Sequence, residues 1–167
     1  MTIDRVRWTT CAALLALAAG CAPEDGGSGS ASDAPFTPVA DVPTIMSAIL
    51  DPAADVYWDA VGWIVDAAGT LEIRPQTLEE WDAVRNAAYV IAESGNLLMM
   101  EGRAVDDGDW MGMSRALTEV AQRAIAAAAA RDEAAVFEVG GEIYNACTVC
   151  HATYAVETLR PGTVTTP

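Results

Sequence analysis

Three residues near the C-terminal end of the chain, Cys147, Cys150 and His151, form the pattern C-x-x-C-H. On an α-helix, side chains three and four positions apart lie on one face within about one turn. Two thiols at this spacing can form thioether bonds with the vinyl groups of a haem, and the neighbouring imidazole can then coordinate the iron from one side. The pattern therefore predicts one covalently bound haem c, with His151 as the proximal iron ligand.

Other functions of a C-x-x-C pair fit this sequence less well. A structural zinc site needs about four ligands, whereas the chain has a single His and, outside the motif, only Cys11 and Cys21. A thioredoxin-like pair follows a strand and opens a helix, but this motif closes a long helical pattern. A purely structural helical protein would require the motif to be accidental.

Residues 1–20 are typical of an export signal. Arg5 and Arg7 precede an apolar run at 11–19 that is too short to span a bilayer as a mature helix. Small residues then lead into Cys21, as in a bacterial lipobox, where the cysteine is lipidated and becomes the new N-terminus. The alternative is an ordinary signal peptide cut nearby. We expect Cys21 to anchor the protein by lipid alone on the periplasmic side of a bacterial membrane.

The overall charge limits the class of partner. The formal net charge is −15, and all nine basic residues are arginines. Nucleic-acid binding needs a basic footprint and is therefore excluded. The acidic surface could steer a basic partner, although ordinary solvated helix faces explain it equally well.

The region 21–40 is rich in Gly, Ser and Pro and is expected to be a flexible linker.

From residue 41 onward, apolar residues recur every three or four positions, which predicts helices. The first predicted helix carries a break near Pro52 and ends at Gly69, and Thr77 with Glu80 forms a capping box for the second. We find neither a sustained alternation nor a hairpin dipeptide, so no strand is predicted. The predicted helices span 43–67, 78–99, 109–130 and 133–156, followed by a tail at 158–167. The fold class is therefore all-α, an antiparallel four-helix bundle over 41–157 with covalently bound haem c.

A four-helix pattern with C-x-x-C-H on its last helix resembles the class II c-type cytochromes, the cytochrome c′ group. The resemblance covers roughly residues 42–157 and includes Ile143 before the motif and Tyr154 after it. It implies that Tyr154 belongs to the haem pocket, that the first helix supplies the distal face, and that a homodimer is possible. The sequence departs from the family at Ala155, where the family usually has Arg or Lys, and at Val42, where it has Arg.

The sixth iron position decides the function. The chain has no second His and no Lys, so a protein ligand there is expected to be Met. The candidates are Met46, Met99, Met100, Met111 and Met113. Met46 is favoured because it lies in phase with the buried stripe of the first helix, whereas Met100, Met111 and Met113 are expected to have core or rim roles. Ligation by Met46 predicts a one-electron carrier serving an unidentified redox partner protein. An open site lined by Met46 or Ile49 predicts binding of NO or CO.

No acid–base constellation is evident, because there is no second His and no convincing pair of core carboxylates. The sequence therefore predicts an electron-transfer protein rather than an enzyme.

Overall fold

The computed structural model describes residues 36–156. The predicted signal peptide, Cys21, the linker up to residue 35 and the tail from 158 lie outside the described residues. Within the described range the chain is mostly helical with one antiparallel pair of strands, and none of its helices combines the length and the apolar character needed to cross a membrane. The elements in chain order are α1 (Val42–Ile45), a π-helix (Met46–Leu50), α2 (Asp51–Trp58), β1 (Gly62–Asp66), β2 (Gly69–Ile73), α3 (Leu78–Leu98), α4 (Asp109–Ala130) and α5 (Glu133–Tyr154).

The first helical segment is continuous but irregular. It starts where the Asp41 side chain accepts a hydrogen bond from the Thr44 N–H at 2.9 Å. Pro52 has no N–H, and its ring would crowd the carbonyl of Ala48 in a regular α-helix. The preceding turn is a π-helix, in which the Asp51 N–H bonds to the Met46 carbonyl. The predicted break near Pro52 is therefore a widened turn, and the chain continues through it.

The prediction that this first helix runs to residue 67 is wrong, as is the prediction of no strands. Helix α2 ends at Trp58, and β1 pairs with β2 in an antiparallel hairpin. In the turn, the Asp66 carboxylate accepts from the Ala68 N–H at 2.7 Å, and Gly69 has a φ of +134°, which residues with a side chain rarely adopt. Gly69 therefore belongs to a hairpin turn and does not terminate a helix.

The three long helices lie within two residues of their predicted bounds. The capping box is present: the Glu80 N–H donates to Thr77 Oγ1 at 3.2 Å and the Thr77 N–H to Glu80 Oε2 at 3.0 Å. Arg131 adopts a left-handed conformation with a φ of 56° that ends α4. Asp132 then caps α5 by accepting from the Ala135 N–H at 3.0 Å. The predicted joint at Arg131 and Asp132 is confirmed.

Contacts between neighbouring helices give their relative direction. Between α3 and α4, Thr118 Oγ1 donates to the Ala92 carbonyl at 3.2 Å, and Trp110 Nε1 donates to the Leu98 carbonyl at 2.8 Å. The contact partners move forward along α3 as they move back along α4, so the two helices are antiparallel. One core lies between the helical segments, and its most deeply buried large side chains are Tyr57, Ile45, Ile91, Ile143 and Val136.

The crossing of α3 and α4 depends on Gly95. A Cβ built at this position would lie 2.2 Å from Thr118 Oγ1 and 2.7 Å from the Ser114 carbonyl oxygen. The Ser114 carbonyl is backbone, and Thr118 is held by two hydrogen bonds, so neither atom can move away freely. The two helices approach here at a distance that only glycine permits.

We expect Gly95→Ala to lower the free energy of unfolding by about 1–3 kcal/mol, because the added methyl forces α3 and α4 apart. Urea unfolding followed by circular dichroism measures this change as a lower midpoint. The matched control is Gly112→Ala on α4, where a built Cβ meets nothing within 4 Å; it should be neutral or stabilising by up to about 1 kcal/mol. Equal midpoints for the two variants would contradict the assignment.

Candidate functional site

Cys147, Cys150 and His151 lie on the C-terminal half of α5 and are each partly buried. All three line one cavity of about 570 Å³, here called the motif cavity. The last buried residue of α5 is Ile143, and from Tyr144 to Tyr154 the helix carries none that is buried. This half of α5 therefore presents its motif to the cavity, and Cys147 also packs against the edge of the core.

The irregular N-terminal segment contributes a second set of residues to the lining of the motif cavity. Met46, the first residue of the π-helix, lines it together with Leu50 and Asp51. Met46 and Leu50 also line a small adjoining gap of about 20 Å³, together with the three motif residues and Met113 of α4. Met46 thus borders both spaces that the motif borders, and π-helical turns are frequent at functional sites.

At the edge of the motif cavity, a hydrogen-bonded carboxylate holds the C-terminal end of α5 in place. The Tyr154 hydroxyl donates to Asp106, whose other oxygen accepts from the Gly108 N–H at 2.8 Å and the Trp110 N–H at 3.1 Å. The rings of Trp110 and Tyr154 meet edge to face with centroids 5.0 Å apart. Asp106 therefore joins the end of α5 to the start of α4 at the edge of the cavity.

The two thiols of the motif do not form a disulfide. Burial raises the pKa of Cys147 to about 11, with smaller contributions from Cys150 and Asp51, and burial also raises the pKa of Cys150. Both groups are therefore thiols at neutral pH. A thiol–disulfide oxidoreductase needs the opposite, a nucleophile whose pKa is lowered. The environment of the pair and its place late in a helix both argue against that chemistry.

Across residues 36–156 no three His, Cys, Asp or Glu side chains come together as a metal-binding group. Structural zinc takes four such ligands. A haem iron needs fewer protein ligands, because the porphyrin supplies four nitrogens. His151 alone could provide the proximal bond, and Met46, which lines the same cavity, offers a sulfur ligand.

The motif cavity fits a haem in size and chemistry. Its volume of about 570 Å³ lies within the range of about 300–1,000 Å³ that is usual for cofactor sites. Asp51 is the only carboxylate among the residues that line it in the described part of the chain, and no arginine is among them. The two positions where the sequence departs from the cytochrome c′ pattern, Val42 and Ala155, both line this cavity, so a neutral side chain stands at each.

Most of the site residues expected from the sequence meet at this cavity. Cys147, Cys150, His151, Met46 and Tyr154 all line it, and the partly buried Ile49 does not; Leu50 lines it in its place. Cys21, the predicted lipidation site, lies outside the described residues.

Sequence reasoning did not identify Trp58, Trp110 or Tyr144 as part of the motif cavity, yet all three line it. Tyr144 lies three residues before Cys147, which is a helical spacing, so this position could have been found from the sequence. The two tryptophans come from other helices, and no local pattern assigns them to this wall.

Neither protein-family models nor curated proteins nor solved structures give a match to this chain. What the site does must therefore be inferred from its own residues.

Asp106 sets the protonation of Tyr154. The hydrogen bond to Asp106 is the main cause that raises the pKa of Tyr154 from its ordinary value of 10.0 to about 12. The same bond is the main cause that lowers the pKa of Asp106. Because the folded state holds the Tyr154 proton more tightly, the stability from this bond is complete below pH 10.0 and is lost as the pH rises through about 12.

We expect Asp106→Ala to lower the pKa of Tyr154 from about 12 toward 10.0, because the hydrogen bond and the negative charge are both removed. The measurement is the phenolate absorbance during alkaline titration, with Tyr154→Phe subtracted to isolate this side chain. The neighbouring Asp107→Ala should leave the titration unchanged. If Tyr154 titrates in Asp106→Ala as it does in the wild type, the hydrogen bond to Asp106 is not what raises the pKa of Tyr154.

Proposed function

We propose that residues 41–157 form a four-helix bundle that carries one haem c and transfers single electrons, as in the cytochrome c′ class. The observation that carries this proposal is that Cys147, Cys150 and His151 border one cavity together and that Met46 borders the same cavity. The haem, when bound, supplies an iron centre that changes oxidation state by one electron. Cys147 and Cys150 would hold it by thioethers, and His151 would coordinate the iron.

The side chains that line the motif cavity suit an electron carrier better than an enzyme. Met46 borders the same spaces as His151 and offers a thioether sulfur, and Met/His ligation would raise the reduction potential and leave no open position for a substrate. Among the described residues that line the cavity, only His151 and Asp51 offer an imidazole or a carboxylate, and the proposal assigns His151 to the iron, which leaves Asp51 alone for proton transfer to a substrate. The residues that line the cavity would bind and orient the haem and would exclude water from the iron.

The charge around the motif cavity indicates a basic redox partner. Asp51 lines the cavity, Asp106 bonds to the lining residue Tyr154, and Asp109 acts electrostatically on Tyr154. A negative rim attracts and orients a positively charged protein, chiefly by raising the association rate. It would also favour oxidised iron, which lowers the potential relative to a neutral site.

The proposal also covers the location of the protein in the cell and its oligomeric state. Lipidation of Cys21 would anchor the protein on the periplasmic side of a bacterial membrane, and the linker up to residue 40 would let the bundle reach a partner. A homodimer is also proposed, because Trp63 is 58 % exposed and large apolar side chains at a surface are common in protein interfaces.

A second candidate function is the binding of NO or CO at an open iron. The apolar side chains of Val42 and Ala155 at the cavity are compatible with it, because they would admit small uncharged ligands but would offer a charged ligand no partner.

We expect the chain, expressed with a c-type cytochrome maturation system, to retain haem after denaturation, because thioether bonds survive unfolding. The pyridine haemochrome spectrum of the denatured protein measures this. Replacing both Cys147 and Cys150 by Ala should abolish retention. Val149→Ala is the matched control, because this residue lies inside the motif but is about half exposed and is absent from the motif cavity lining. A haem-free wild-type protein would overturn the proposal.

We expect the reduced wild-type protein to be low-spin and unaffected by CO, because Met46 would hold the iron on the side away from His151 and leave no position for CO. Met46→Ala should give a high-spin spectrum that shifts on addition of CO. Met99→Ala is the matched control, since Met99 borders neither space that the motif borders. A CO-dependent shift in the wild type would favour the gas-binding function, and a closed site opened only by Met113→Ala would assign the ligand to α4.

A further inference from the structure

Two pairs of aromatic rings, each a tryptophan with a tyrosine, line the motif cavity. Trp110 meets Tyr154 edge to face with ring centroids 5.0 Å apart, and Trp58 meets Tyr144 edge to face with centroids 6.1 Å apart. Indole and phenol are electron-rich rings from which a strong oxidant can remove one electron. Rings in direct contact can then pass that electron between them, so the surroundings of each pair decide where the oxidation comes to rest.

The two indoles have the same hydrogen-bond environment. Trp110 Nε1 donates to the Leu98 carbonyl at 2.8 Å, and Trp58 Nε1 donates to the Gly140 carbonyl at 2.9 Å. A backbone carbonyl accepts a hydrogen bond but does not take up a proton at neutral pH. Either indole would therefore keep its proton on losing an electron, and the positive charge would stay in the ring until a neighbour supplied an electron.

The two phenols differ in their proton acceptors. The Tyr154 hydroxyl donates to the Asp106 carboxylate, and the same bond lowers the pKa of Asp106, which is therefore ionised at neutral pH. The Tyr144 ring is 63 % exposed, and no carboxylate among residues 36–156 is bonded to its hydroxyl. A base must lie within hydrogen-bond reach of the proton that it takes. Of the two phenols, only Tyr154 can hand its proton to a side chain as it loses an electron.

We propose that Trp110, Tyr154 and Asp106 form a redox site made only of side chains, in which one-electron oxidation ends as a neutral radical on Tyr154. A strong one-electron oxidant, such as a peroxide-derived radical or a metal complex in a high oxidation state, takes an electron from Trp110 and is itself reduced. The Tyr154 phenol returns one electron to the indole, its O–H bond breaks, and the proton passes to the Asp106 carboxylate. The products are a neutral indole, a tyrosyl radical and a protonated Asp106.

This site gives the protein an electron donor at the motif cavity besides the proposed haem. Trp110 and Tyr154 both line that cavity, so they can supply an electron to a strong oxidant that enters it. Met46 lines the same cavity, and a methionine thioether is open to oxidation to the sulfoxide. Oxidation that settles on Tyr154 spares this sulfur.

The test generates the oxidant by light and locates the radical. Flash illumination of tris(bipyridine)ruthenium(II), with pentaamminechlorocobalt(III) as the electron acceptor, forms the ruthenium(III) oxidant in a solution of the full-length protein as purified. Samples are frozen directly after the flash, and electron paramagnetic resonance measures the tyrosyl radical. Ring-deuterated tyrosine, incorporated during expression, narrows the tyrosyl signal and distinguishes it from tryptophanyl or porphyrin radicals.

We expect the wild type to give a tyrosyl signal and Tyr154→Phe to lose most of it. Asp106→Asn should lower the signal toward that of Tyr154→Phe, because the amide oxygen still accepts from the Gly108 and Trp110 N–H groups but takes up no proton. Tyr144→Phe is the matched control at the other ring pair and should leave the signal unchanged. Circular dichroism verifies that each variant is folded.

Three results would each overturn the proposal: a wild type without a tyrosyl signal, a signal that survives in Tyr154→Phe, and an undiminished signal in Asp106→Asn. Loss of the signal in Tyr144→Phe would assign the radical to the other ring pair and would also overturn it. The ruthenium complex supplies the oxidation in every sample, so the outcome is independent of whether the motif cavity carries the proposed haem.

Discussion

The hydrogen bond from Trp58 Nε1 to the Gly140 carbonyl, at 2.9 Å, joins the end of α2 to the middle of α5. A Cβ built at position 140 would lie 3.4 Å from Trp58 Cδ1, an ordinary contact distance, so the indole packs closely against α5. Trp58 also lines the motif cavity. The position of α2 against α5 therefore contributes to which residues face the motif.

The π-helix also shapes the lining of the motif cavity. Pro52 cannot donate to a preceding carbonyl, and the turn before it widens so that the Asp51 N–H reaches the Met46 carbonyl. This change of register alters which residues of the segment face α5. Leu50 and Met46 line the motif cavity, whereas Ile49 does not. A regular 3.6-residue period cannot predict this selection, because the period itself changes over residues 46–50.

The hairpin shows where pattern-based reasoning is weakest. Alternation of apolar and polar residues arises when one face of a strand is buried, and both strands here are exposed along nearly their whole length. Trp63, Ile64 and Val65 have high strand propensity, but three apolar residues in a row also suit a helix. The rings of Trp63 in β1 and Phe137 in α5 meet edge to face, with centroids 5.4 Å apart. The capping box, the tight joint and the long helices were predictable because local chemistry specifies them.

The sequence by itself determined the three long helices and placed two thiols and an imidazole on one face of the last helix, because helical spacing is a local property of the backbone. Only the tertiary structure decided what that face meets: Met46 and Leu50 from the π-helix, Trp58 from α2, and Trp110 from α4. It alone also left the Tyr57 hydroxyl buried with no hydrogen-bond partner among residues 36–156. These contacts join residues far apart in the chain, and their geometry depends on how whole helices pack.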